Sequence, residues 1–112
     1  MTQPYDWSAF YKALCQHGPD LLVGIDEDLR EVIKELSTTT DMFWSEGLEA
    51  SLAEGAASGT LREGVLMALD QWRENVLDQL DASFGISLDW DQVSVDDDSP
   101  IIDRLVDDAS SV

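Results

Sequence analysis

Apolar residues recur at helical intervals along most of the chain, and those intervals predict four to five helices. Trp7, Phe10, Tyr11 and Leu14 fall on one helical face, with Asp6 placed to cap the start and Gly18 to supply a left-handed stop. Pro19 then reads as the first-turn residue of a second helix. That helix carries the stripe Leu22, Ile25, Leu29, Val32, Ile33 and Leu36 opposite Asp26, Glu27, Asp28, Glu31, Lys34 and Glu35. The run Ser37-Thr38-Thr39-Thr40 interrupts the period, and Thr40 or a neighbour is the expected cap of a third helix holding Phe43, Trp44, Leu48 and Leu52. Gly47, Gly55 and Gly59 weaken that segment.

Thr60 and Glu63 have the form of a capping box, after which Leu61, Val65, Leu69, Trp72, Val76 and Leu80 alternate steps of four and three until Gly85. A helix of about 25 residues follows, roughly 37 Å long. Beyond Gly85 the period shortens to two: Ile86, Leu88 and Trp90 alternate with Ser87, Asp89 and Asp91, while Val93 and Val95 take the opposite parity, which predicts an extended segment bent near Asp91. One strand needs a partner, which is another chain, an unrecognised segment, or the helical surface. Asp96-Asp97-Asp98 reads as a solvated loop, and Ser99-Pro100 opens a short helix with Ile101, Ile102, Leu105 and Val106, ahead of a fraying tail from Asp107 to Val112. The expected fold is all-α, or α-dominated α+β: one bundle-like domain over residues 1–112 with an extended segment near 86–95.

Composition supports a folded core, because 44% hydrophobic residues, including four Trp, exceed what a disordered chain carries. Cys15 is the single cysteine, so no internal disulfide forms. No stretch approaches the ~20 apolar residues that span a bilayer, and the N-terminus lacks a basic region followed by an apolar run, so a cytoplasmic location is expected.

Charge changes the picture most. Acids number 24 against six Lys and Arg, for a formal −18. Residues 1–40 hold seven acids and three bases, residues 41–80 eight and two, and residues 81–112 nine and one, so the last third is the acidic pole. Such a field repels nucleic acid and anionic lipid and attracts basic proteins.

Candidate chemistry is sparse. Cys15 and His17 stand two apart and do not share a helix face, and His17 beside Gly18 reads as a cation near a helix end. The glycines at 55, 59 and 64 lack the following Lys and Ser or Thr of a phosphate loop, and the Asp89–Asp98 acids lack the Gly and terminal Glu of a calcium loop. No enzymatic activity, cofactor or metal site is expected. The stretch from Leu77 to Leu88, with Ile101, Ile102 and Leu105 beyond, resembles the later part of an acyl carrier protein, where an acidic helix ends in a Phe-Gly-Ile-like turn. That family attaches its phosphopantetheine arm to the Ser of an Asp-Ser-Leu motif opening the helix. Here Ala68-Leu69-Asp70-Gln71 stands in its place, so carrier chemistry is not implied.

Three functions fit these observations. In size, acidity and helix content the chain resembles phage-type DNA-mimic inhibitors of restriction or CRISPR machinery, which set carboxylates where a basic site expects phosphates. The expected partner is then a basic nucleic-acid-binding protein, with no direct contact to nucleic acid or membrane. The expected binding residues are Asp89, Asp91, Asp96, Asp97, Asp98, Asp103, Asp107 and Asp108, with Asp26, Glu27, Asp28 and Glu31 as a second patch. A second function is a small adaptor, chaperone or immunity protein with an apolar groove, in which the near-heptad series of the 60–84 helix offers a homodimer seam. In the third, sixteen Asp, eight Glu and only two Lys mark adaptation to a high-salt habitat.

Overall fold

The computed structural model describes residues 7–40 and 42–110. Among them, α1 spans Ser8–Leu21, α2 Glu27–Thr39, α3 Glu46–Ser58, α4 Leu61–Phe84 and α5 Pro100–Ser110, with two-residue strands β1 (Leu22–Val23) and β2 (Ser94–Val95). The fold is helix-dominated, as the periodicity predicts. The expected cap at Asp6 lies outside the described residues.

α4 is the axis of the molecule. Its 24 residues run about 36 Å, close to the longest molecular dimension of 38 Å. Val65, Ala68, Leu69, Trp72, Val76 and Leu80 are all buried on one side. The helix stops where expected: Gly85 adopts φ 67°, and Gly85 and Ile86 donate their N–H groups back to the Asp81 and Leu80 carbonyls. Thr60 precedes the helix but makes no side-chain cap, so the capping box read there does not form. The apolar series packs into the chain's own core.

α3 lies against α4 so closely that the helices touch backbone to backbone. A Cβ at Gly55 would stand 2.8 Å from the Gly64 Cα, and one at Gly64 would stand 2.8 Å from the Ser51 carbonyl oxygen. Glycines that lower helix propensity here permit a close helix–helix contact that a side chain would block. Asn75 fastens the preceding turn to α4, donating to the Phe43 carbonyl at 3.0 Å and to Ser45 Oγ at 3.1 Å.

Three boundaries differ from the sequence pattern. α1 continues through Gly18 and Pro19 to Leu21, because Gly18 is buried beneath Trp72 rather than ending the helix; an added Cβ would meet the Trp72 ring at 3.2 Å and Leu14 at 2.9 Å. His17 therefore sits a turn before the end instead of beside it. α2 begins at Glu27, where Asp26 caps it by accepting from the Leu29 N–H at 2.7 Å, so Leu22 and Ile25 lie outside it. Of its stripe only Ile33 is fully buried, and Val32 is exposed. The threonine run completes α2: Thr38, Thr39 and Thr40 each donate a hydroxyl to a carbonyl four residues back. α3 accordingly starts at Glu46, with Phe43 and Trp44 in the preceding turn.

The extended segment is also shorter than its alternation implies. Ile86 and Leu88 pack on the core without strand pairing, Trp90–Gln92 form a 3-10 turn, and only Ser94–Val95 pair. Their antiparallel partner is β1, with Leu22 opposite Val95 and Val23 opposite Ser94. The Asp96 N–H extends the ladder to the Leu21 carbonyl at 2.9 Å. Gly24, at φ 100°, is required beside it, because any Cβ there would collide with the Gln92 carbonyl oxygen at 1.9 Å. At the C-terminal end, α5 runs through Ser110 and buries Ala109, so the expected fraying is not seen from Asp107 to Ser110; residues 111–112 lie outside the described chain.

Candidate functional site

The ladder brings together acids far apart in sequence. Asp26 follows β1 by three residues and Asp91 precedes β2 by three, so in an antiparallel pair both leave from the same end. Asp96, Asp97 and Asp98 leave from the other end, beside Leu21. At about 3.4 Å per residue the two-residue ladder separates these groups only slightly. The Asp26–Glu31 patch and the Asp89–Asp98 patch thus flank one structural junction.

Within that junction the carboxylates divide by task. Asp26 caps α2, Glu27 pairs with Arg30 at 2.7 Å, Asp89 caps the 3-10 turn in a reciprocal box with Gln92, and Asp96 accepts from the Asp98 N–H at 3.2 Å. Asp28, Glu31, Asp91, Asp97 and Asp98 are exposed, and no hydrogen bond or ion pair among the described residues engages their side chains. Arginines hold the junction from within: Arg30 donates to the Leu22 carbonyl at 3.1 Å and Arg73 to the Val93 carbonyl at 3.0 Å. Asp103, Asp107 and Asp108 belong instead to α5, where Asp103 is paired with Arg62 at 2.6 Å.

A further acidic row went unmarked in the sequence. Glu63, Asp70, Glu74, Asp78 and Asp81 are all exposed on α4. At 3.6 residues per turn they fall within an arc of roughly 80°, opposite the buried stripe, and extend about 27 Å. The row is legible in the sequence as the complement of the apolar series of that helix.

The cysteine has a distinct setting. Between α1 and α2 a hollow of about 440 Å³ is lined by Ser8, Tyr11, Lys12, Cys15, Gln16, Ser37 and Thr38. Burial pushes the Cys15 thiol up from its ordinary value, only partly opposed by its hydrogen bond with Tyr11. A thiol held protonated in this way is a poor nucleophile. Trp44, in the turn before α3, is stacked on Tyr11 at 5.0 Å and donates its indole N–H to Glu49 at 3.3 Å.

Among the described residues no three His, Cys, Asp or Glu side chains are grouped as metal ligands would be, and no helix is long and apolar enough to cross a membrane. Compared with known proteins, the chain matches no family model, no curated protein and no solved structure.

Proposed function

We propose that this protein is a non-catalytic inhibitor or regulator that occupies the basic nucleic-acid-binding site of a partner protein, presenting carboxylates in place of phosphates. One observation supports the reading: the β1–β2 ladder brings two acidic segments to one junction, where Arg30 and Arg73 donate to backbone carbonyls. Apart from Glu27, which pairs with Arg30, the carboxylates of this edge keep their negative potential. A cationic groove that binds it releases its screening anions, which makes the affinity fall steeply with salt.

The activity this implies is of the type seen in phage anti-restriction and anti-CRISPR proteins, with no cofactor and no chemical step. Its test is competition. A partner captured from a bacterial lysate at low salt, and released as salt rises, is expected to lose its bound DNA when the protein is added. The combined variant Asp96→Asn, Asp97→Asn, Asp98→Asn should compete less well. A partner that holds DNA and this protein at the same time, or a complex indifferent to salt, refutes the proposal.

A further inference from the structure

The hollow of about 440 Å³ between α1 and α2 differs from the rest of the surface in its charge. Although 24 of the 112 residues are acidic, residues 7–19 and 36–40, which supply all of its lining, include no Asp or Glu. The hollows beside α4 are lined instead by Asp70 and Glu74 or by Glu74 and Asp78. Here the one charged side chain is a cation, Lys12. The wall is mainly apolar, and the volume falls in the range of about 300–1,000 Å³ in which proteins hold small molecules.

The polar groups around this hollow are unequally committed. Ser37, the single buried polar side chain among the described residues, donates to the Ile33 carbonyl at 2.7 Å, and the Thr38 hydroxyl is shared between the Lys34 and Glu35 carbonyls. Tyr11 donates to the Thr40 carbonyl at 3.4 Å and stacks on Trp44. Lys12 and Gln16 differ, since neither makes a hydrogen bond or ion pair with another described residue. No acid stands three or four places from Lys12 along α1, whereas Arg30 and Arg62 each hold a carboxylate. Two uncommitted donors beside an apolar wall suit an anion with an apolar body. The net −18 opposes each added negative charge, so a singly charged carboxylate is favoured over a phosphate. The Tyr11 ring in the wall suits an aromatic body.

We infer that the hollow between α1 and α2 binds a small aromatic monocarboxylic acid, its carboxylate accepting from Lys12 and Gln16 and its ring lying against Tyr11 and Cys15. The site shares no residue with the acidic groups assigned above to a partner protein. The two proposals therefore stand or fall separately.

Phenylacetate, titrated into the isotope-labelled full chain and followed by amide chemical shifts, tests this, with phenylacetamide as its uncharged counterpart. The expected result is saturable shifts concentrated at Tyr11, Lys12, Cys15, Gln16, Ser37 and Thr38, together with slower alkylation of Cys15 by iodoacetamide at saturation. Phenylacetamide should bind about fivefold more weakly, which is the most that a single exposed ion pair contributes. Lys12→Met should weaken phenylacetate binding by the same factor and erase the difference between the acid and the amide. Arg104→Met removes another exposed cation, on α5, and should leave binding unchanged, which separates the site from bulk charge. Both substituted side chains are exposed, and unchanged circular dichroism verifies the fold. Absence of saturation, shifts centred elsewhere, equal binding of acid and amide to the unsubstituted protein, or equal losses in Lys12→Met and Arg104→Met each overturn the inference.

Discussion

Two alanine substitutions in α3 should shift stability in opposite directions, although both replace a helical glycine. Alanine is favoured over glycine inside a helix by up to about 1 kcal/mol. At Gly47 the new Cβ meets the Gln71 side chain, with Cγ at 3.3 Å, and a flexible side chain at the surface can give way. Gly47→Ala should therefore keep most of the propensity gain. At Gly55 the new Cβ lies 2.8 Å from the Gly64 Cα and 3.1 Å from both the Gly64 nitrogen and the Thr60 carbonyl oxygen. Carbon atoms rest at ~3.5–4.0 Å, so α3 has to retreat from α4 by roughly 0.7 Å or more. Every atom in the way is backbone, so that retreat moves a whole helix and loosens the burial of Leu48 and Leu52.

Overpacking of this kind costs about 1–3 kcal/mol, which exceeds the propensity gain. The propensity gain is common to both, so the two variants should differ by about 1–3 kcal/mol, or on the order of 10 °C in Tm for a chain of this length. Thermal unfolding followed by far-ultraviolet circular dichroism, with urea titrations for the free energies, measures the difference. If Gly55→Ala proves as stable as Gly47→Ala, the helices do not cross at the glycines and the close α3–α4 packing is wrong.

Asp26→Ala should lose about 1 kcal/mol through the missing cap on α2, whereas Asp26→Asn retains it; equal losses in urea unfolding would assign the effect to charge. Arg30→Met removes the donor to the Leu22 carbonyl and should speed amide hydrogen exchange at Asp96, so unaltered exchange there would show that the guanidinium does not secure the ladder. Cys15, with its thiol raised above the ordinary 9.0, should alkylate more slowly at mildly alkaline pH than a small free thiol; its protonated burial favours the folded state fully below that value and less as pH climbs beyond it, a decline that Cys15→Ser should abolish. At −18 the chain repels itself, so Tm should rise modestly with added salt from an already folded state in dilute buffer. Unfolding on removal of salt would favour habitat adaptation instead.

What the sequence made legible divides by range of interaction. α4 was readable because one residue pattern specifies its period, its buried face and its glycine stop, all within the helix. α5 was readable from Ser99-Pro100, where Ser99 Oγ accepts from the Ile101 N–H at 3.2 Å. The end of α1 was not, since the local signal of Gly18-Pro19 is overridden by Trp72, more than fifty residues away in the chain. β1 was hidden for the same reason: Leu22 and Val23 look like the start of an amphipathic helix until Val95 and Ser94 arrive opposite them. The acids themselves were plain, but their grouping was not, because the ladder that unites Asp26–Glu31 with Asp89–Asp98 is a tertiary fact.

The placement of the bases shows how so acidic a chain keeps a defined shape. Arg30 and Arg73 reach the carbonyls of Leu22 and Val93, Arg62 ties α4 to α5 through Asp103, and Lys34 approaches Asp20 at 4.0 Å. Arg30 also neutralises Glu27 within its own helix, but each of these cations joins elements distant in sequence or caps their approach. Glu27 apart, the ladder edge and the acidic row of α4 have no ion pair among the described residues, while the backbone beneath them is held. A more even scatter of six bases would lower the self-repulsion by a similar amount and leave the negative potential without fixed features. Rigid support under unneutralised carboxylates is what a cationic partner needs in order to recognise a surface instead of a mere excess of charge.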